Sequence, residues 1–209
     1  MARLSFNPMM AAMATTEAPF SQAEPQHEGE IDRLTLEACR RGDRAAFRRF
    51  MQTYQHAVFA YLSRSLGRGP HVEDLAQETF LRAYRALPRF EPTGARTSTW
   101  LLTIARNCAL DARKRRALPT ASIEDHEIEA HGTPETEQQR SELGGAIERA
   151  ARALPEEQRE ALVLAEIHGL SLDEISAVTA TPSATVKTRL FRARERLRAL
   201  LAPFFQDDP

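Results

Sequence analysis

Cysteine is scarce in this chain of 209 residues: Cys39 and Cys108 are the only two, and neither has a CxxC companion. A disulfide framework or zinc site is therefore disfavoured, and two buried thiols in a reducing compartment are expected. Long apolar runs are missing as well. None approaches the roughly 18 residues that cross a bilayer, and no basic segment followed by an apolar block opens the chain as a secretory leader would. The expectation is a cytoplasmic protein without direct membrane insertion. The six histidines (His27, His56, His71, His126, His131, His168) lack metal-ligand spacing, and no Gly-rich phosphate loop, nucleophile motif or H-E-x-x-H occurs. No metal, cofactor or catalytic residue is expected. Strand-type alternation and solenoid repeats are also lacking, which leaves an all-α fold.

Nor is there an excess of charge of either sign. Lys and Arg number 28 against 29 Asp and Glu, a net charge of −1. The distribution is uneven, however. The stretch TPSATVKTRLFRARERLRALL, Thr181 to Leu201, holds six basic residues (Lys187, Arg189, Arg192, Arg194, Arg196, Arg198) and one acid, Glu195. Between Leu118 and Glu142 seven carboxylates (Glu124, Asp125, Glu127, Glu129, Glu135, Glu137, Glu142) face the lone Arg140, with Pro119, Gly132 and Pro134 interspersed. Periodicity is lost there, as in a flexible acidic linker. Residues 1–30, rich in Ala, Pro, Gln and Glu, read as a disordered tail in which Met9, Met10 and Met13 compete with Met1 as the start.

From Ile31 the pattern is helical. Gly42 closes a first short helix and Asp43 caps the next. In that second helix Phe47, Phe50, Met51, Tyr54, Val58, Tyr61, Leu62 and Leu66 recur every three or four residues, until Gly67, Gly69 and Pro70 break it. A third helix runs from about His71 to Leu87, with Pro88 as its stop. Leu75, Ala76, Thr79, Phe80, Ala83 and Leu87 form its buried stripe. Asp74, Gln77 and Glu78 share the opposite surface, where Arg82 offsets the repulsion of two acids four apart. A fourth helix begins near Ser98, turning Trp100, Leu101, Ile104, Cys108 and Ala112 inward and Arg106, Asn107, Asp111, Arg113 and Lys114 elsewhere. Residues 31–117 thus make one four-helix domain, 118–142 a linker, 143–202 a second domain and 203–209 a tail.

In the second domain Pro155 stands at a helix start, Gly169 at a stop, and Ser171 with Glu174 forms a capping box for a short helix through Val178. The break TATPS then leads into the basic segment, with Thr181 or Ser183 as its cap. Short helix, tight turn and longer helix are the grammar of a helix-turn-helix. Val186, Leu190, Ala193, Leu197 and Leu200 form the inward stripe of the last helix. Lys187, Thr188, Phe191 and Arg192 lie off that stripe in its first two turns, the part that enters a major groove. Positive side chains there meet phosphates and guanine edges.

The segments DLAQETFLRAY, WLLTIARN with a following Asp111, and LPEEQREALVLAEIHGLSLDEIS with TVKTRLFRAR resemble, in order and spacing, bacterial sigma factors of the extracytoplasmic-function group of the sigma-70 family. The resemblance covers about residues 31–201. It implies a region 2 type four-helix domain and a region 4 type helix-turn-helix, in a non-catalytic specificity subunit of RNA polymerase that responds to stress or another signal. By the same resemblance Asp74, Leu75, Gln77 and Glu78 bind core polymerase. Trp100, Arg106, Asn107, Arg113 and Lys114 engage the −10 element, Asn107 holding a flipped-out base with help from the loop Glu91 to Ser98. Lys187, Thr188, Arg189, Phe191 and Arg192 read the −35 element, and the acidic linker threads the RNA path. Core RNA polymerase, promoter DNA and an anti-sigma factor are the implied partners. The family often writes G-T-V-K-S-R where this chain has ATVKTR, with Ala184 and Thr188 as the departures. The rival reading from the residues alone is a free-standing helix-turn-helix regulator that binds operators as a dimer. An enzyme is the weaker rival.

Overall fold

The computed structural model describes residues 30–67, 69–92, 96–117 and 136–205. The expected tail up to residue 29, linker residues 118–135 and residues 206–209 lie outside these. Helix α1 (Arg33–Arg40) starts at Asp32, whose carboxylate accepts the Thr35 amide at 2.9 Å. Helix α2 (Arg44–Leu66) starts at Asp43, which accepts the amides of Ala45 and Ala46 at 2.7 and 3.0 Å. These bonds satisfy donors that a helix start leaves open. They also hold both carboxyls below their ordinary pKa, through the Thr35 side chain for Asp32 and the Ala46 amide for Asp43.

Helix α3 (Pro70–Ala86) has its proline in the first turn, and a single 3-10 turn, Leu87–Arg89, carries Pro88 beyond it. Helix α4 (Thr97–Ala117) completes the first unit. The second comprises α5 (Thr136–Arg152), α6 (Glu156–Glu166), α7 (Leu172–Thr179) and α8 (Ser183–Leu201), ending in a 3-10 turn, Ala202–Phe205. Among the described residues there is no strand, and no helix is long and apolar enough to cross a membrane.

Two helix starts correct the sequence reading. The linker was expected to reach Glu142, yet α5 already begins at Thr136. Glu135 to Leu143 contains neither Gly nor Pro and is rich in Glu, Gln and Arg, good helix formers that let the packed part of α5 propagate backwards. Neither Thr181 nor Ser183 caps α8. Pro182 occupies that position without a side-chain bond, and the Ser183 hydroxyl donates to Asp173 at 2.9 Å. Ser171 and Glu174, by contrast, form the reciprocal capping box of α7.

The core of the first unit is aromatic at one end: Phe50 meets Tyr54 at 4.9 Å and Phe80 at 6.5 Å, edge to face. Val58, Tyr61, Leu62, Leu101, Ala105 and Cys108 continue it with almost no exposure. Both thiols are buried. Met51 and Leu200, placed on apolar stripes by period alone, are 39% and 45% exposed; each lies beside its stripe rather than within it. The apolar cluster of the first unit continues without a break into Val163, Leu164, Ile175, Val178, Val186 and Leu190 of the second. Helix α4 packs on α7 and α2 on α6. A smaller cluster, including Ala150, Leu154, Ala193 and Leu197, fixes α5 on α8. The two units therefore lie against each other.

Candidate functional site

On α3, Asp74 and Gln77 are exposed, and Leu81 and Tyr84 follow them at helical spacing of three and four residues on the same face. Leu81 is 56% exposed; the Tyr84 ring stands edge-on to Phe47 at 4.8 Å. The outcome is an acid–amide–apolar stripe. Glu78 flanks it and accepts from Arg82 at 2.8 Å; Arg82 also donates to Asp111 of α4 at 2.9 Å. That second bond holds the Asp111 carboxyl below the usual range. Leu75, grouped with Asp74, Gln77 and Glu78 by the resemblance, is buried among core residues as its place on the buried stripe implies, because one position round from Asp74 is 100° toward the interior. It stands apart from the other three. Leu81 and Tyr84 escaped the sequence reading, although their spacing from Asp74 and Gln77 was visible in it.

On α4, Trp100 is half-buried and stacks on Phe90 at 4.3 Å, while Asn107 and Lys114 are exposed. The arginines behave otherwise. Arg106 donates to Glu160 of α6 at 2.9 Å, and the same carboxylate accepts the Tyr61 hydroxyl at 2.8 Å. Arg113 pairs with Glu156 and donates to the Ser65 carbonyl. Burial, with the charge of Arg159, keeps the Arg113 pKa below its ordinary value. Just ahead of α4, Arg96 forks onto both oxygens of Glu174. Glu174 also accepts the Ser171 amide at 2.9 Å and the Thr99 hydroxyl at 3.2 Å. Burial would raise its carboxyl, but the bonds from Arg96 and Ser171 outweigh burial and hold it down to about 2. Arg106 to Glu160 spans 54 positions and Arg96 to Glu174 spans 78, separations no local pattern reveals.

On α8, Lys187, Thr188, Phe191 and Arg192 all face outward, Phe191 with 66% exposure, above the buried Val186 and Leu190. The Thr188 hydroxyl donates to the Ala184 carbonyl of its own helix at 3.0 Å. Arg189 differs from these four. It is half-buried, donating to Thr181 at 3.1 Å and pairing with Glu157 of α6 at 2.7 Å. Beneath the interface His168 lies 6.1 Å from the Tyr61 ring, and burial, with a contribution from Arg64, pushes its pKa down to about 4. No group of three metal-ligating side chains occurs among the described residues.

A four-helix unit with an acid–amide stripe, followed by a capped helix-turn-helix with an outward basic face, defines a two-domain transcription factor of the sigma type. The model for sigma-70 region 2 matches residues 50–118, and that for sigma-70 region 4 matches 144–197. The RNA polymerase sigma-H factor of Pseudomonas aeruginosa is 35% identical over 85% of this chain and 97% of its own length. The ECF RNA polymerase sigma-E factor of Escherichia coli K12 is 37% identical over 84% and 96%. Among solved structures, CnrH in complex with the cytosolic domain of CnrY matches with a TM-score of 0.61 and 29% identity, over 82% of this chain and 97% of that one. RpoE with the anti-sigma factor NepR from Bartonella quintana gives 0.62 and 26%, over 78% and 98%. The chain belongs to the extracytoplasmic-function group of the sigma-70 family, the sigma factors that direct promoter-specific transcription initiation.

Proposed function

We propose that the two units divide one task along the promoter. Asp74, Gln77 and Glu78, extended by Leu81 and Tyr84, dock on core RNA polymerase; an exposed stripe pairing carboxylates with a large apolar and an aromatic side chain suits a basic, partly apolar helical partner. Asn107 and Lys114, with Arg106, Arg113 and the half-buried Trp100, engage the −10 element as it melts: amide, cation and ring are the groups that hold unstacked bases and their backbone. Lys187, Thr188, Phe191 and Arg192 read the −35 element from the major groove, with Arg189 bracing the helix beneath them. The observation that carries this reading is the presence, in one chain, of an outward basic recognition helix and an outward acidic docking stripe on separate units.

The chain supplies selectivity and no chemistry of its own. Its partners, core polymerase and chromosomal promoters, place its work in the cytoplasm. The solved relatives were captured with CnrY and with the anti-sigma factor NepR, and a protein of that kind is a further partner here, linking the factor to an external signal. The division of labour is tested by permanganate footprinting on a polymerase-bound promoter. Asn107→Ala is expected to bind the closed promoter and fail to melt it; normal melting would contradict the role given to α4.

A further inference from the structure

Glu30 precedes the first helix and lies outside the stretch matched by sigma-70 region 2, which begins at residue 50. Its two carboxylate oxygens reach separate parts of the first unit. One accepts both the amide, at 3.2 Å, and the hydroxyl of Ser98 in the first turn of α4; the other accepts the Tyr54 hydroxyl of α2 at 2.8 Å. That hydroxyl in turn accepts the Ile31 amide at 3.1 Å. Burial above all pushes the Tyr54 pKa up, so the hydroxyl stays protonated and remains a donor. The partners of Glu30 lie 24 and 68 positions away, so this knot closes only once α2 and α4 are packed together.

Glu30 is not needed to start α1. Asp32 caps that helix, and Leu36 and Cys39 bury it. The need lies at α4. There the Trp100 amide donates to the Arg96 carbonyl at 3.1 Å, and the amides ahead of Trp100 are the ones a helix start leaves open. The Arg96 side chain carries only donors and cannot cap them. A carboxylate suits the place, because it accepts several donors at once and its charge favours the positive end of the helix. Glu174 reaches the same turn through Thr99, but from the second unit. The bonds of Glu30 all lie within the first unit and do not depend on where the second one sits. Two residues beyond Ser98, Trp100 stacks on Phe90 at 4.3 Å. Seven beyond Trp100, on the same face, stands Asn107. A shift of the first turn is therefore a shift of both.

We propose that Glu30 is a positioning residue for the −10 pocket: its carboxylate fixes the first turn of α4 against α2, and so sets where Trp100 and Asn107 meet the promoter strand. The inference rests on the assignment of α4 to the −10 element. Glu30 itself touches no DNA; it acts through Ser98.

Trp100 is the only tryptophan in the chain, so its fluorescence reports on this turn without DNA or polymerase. In Glu30→Ala, with helix content verified by circular dichroism, its emission should move to longer wavelength and be quenched more readily by acrylamide. Glu30→Gln keeps one acceptor oxygen for Ser98 but offers Tyr54 no carboxylate, and should fall between Ala and the wild type. With core polymerase on a promoter carrying both elements, Glu30→Ala should open the −10 region about tenfold more slowly by permanganate footprinting, the size of loss expected for a bond to a charged group. Binding to core polymerase and −35-dependent affinity of the closed complex should be unchanged. A folded Glu30→Ala variant with wild-type Trp100 emission and quenching overturns the proposal. So does a displaced Trp100 accompanied by normal opening. Equal losses in opening, core binding and −35 affinity also overturn it, because they mark general destabilisation rather than a misplaced pocket. If Glu30→Ala loses helix, Glu30→Gln decides by the same two readings. A wild type that directs no promoter-specific transcript sinks the assignment of function, and the −10 role of Glu30 with it, whatever Trp100 shows.

Discussion

Positive charge meets opposite circumstances in the two units. On and just ahead of α4, Arg96, Arg106 and Arg113 are turned into an interface and matched with carboxylates. On α8 Lys187, Thr188, Phe191 and Arg192 face solvent, and no ion pair reaches Arg192 among the described residues. The same residue type thus joins one unit to the other at α4 and stands exposed to solvent at Arg192 of α8. Arg189 shows the contrast within a single helix, since it joins the inward class by pairing with Glu157 while its neighbour Thr188 stays outside. A count of basic residues could not separate the two classes; their partners do.

The largest expected effect breaks the comparison directly. Arg106→Ala should lower stability to urea by about 2–3 kcal/mol, because it leaves the sheltered Glu160 carboxylate without its cation. Arg192→Ala should stay within about 0.5 kcal/mol of the wild type in the same assay, yet lose about 1–3 kcal/mol of −35-dependent promoter affinity. Equal stability losses would erase the distinction. Next in size, Asp74→Ala/Leu81→Ala should weaken association with core polymerase about tenfold, some 1.4 kcal/mol, with the −35 affinity of the assembled enzyme unchanged. A pull-down titration measures the first.

Acid sharpens the comparison, since the two interface groups that titrate in the acid range with a large shift, His168 and Glu174, belong to the second unit. His168 titrates near 6.5 in an unfolded chain and about 4 here. Below pH 6.5 the unfolded chain therefore takes up a proton that the folded one refuses, and stability falls as pH drops toward 4. Glu174, held at about 2 against an ordinary 4.5, adds stability that is complete above 4.5 and is lost between 4.5 and 2. The stability profile should be level above about pH 6.5 and decline below it, with His168→Gln flattening the upper part of the decline in a denaturation series. The smallest effect lies in the turn before α8. Ala180 has a φ of 50°, a left-handed conformation that costs a residue with a Cβ about 1 kcal/mol. Ala180→Gly should raise the thermal midpoint by a degree or more and leave DNA affinity unchanged.

Most helices were legible because their signals are local. Asp43 caps α2, Ser171 and Glu174 box α7, and Phe50, Tyr54, Val58 and Tyr61 repeat at the period of a buried face. The outward positions of Asp74, Gln77, Asn107, Lys187 and Arg192 followed from the same period. Where local rules compete, the reading failed: α5 extended into an acidic stretch whose residues are good helix formers, and α8 began on Pro182 rather than on a hydroxyl cap. The period placed Leu75 on the buried stripe, where it lies, and only the family resemblance grouped it with its exposed neighbours Asp74 and Gln77. The packing of unit on unit was not legible at all. Glu174 was visible as a capping residue, and its second bond, to Arg96, exists only once the chain has folded.

Run-off transcription with purified core RNA polymerase on genomic fragments, followed by mapping of transcript starts, bears most directly on the central claim. With this protein added, transcripts should begin at discrete new positions downstream of shared −35 and −10 sequences. Starts identical to those of core polymerase alone would contradict it.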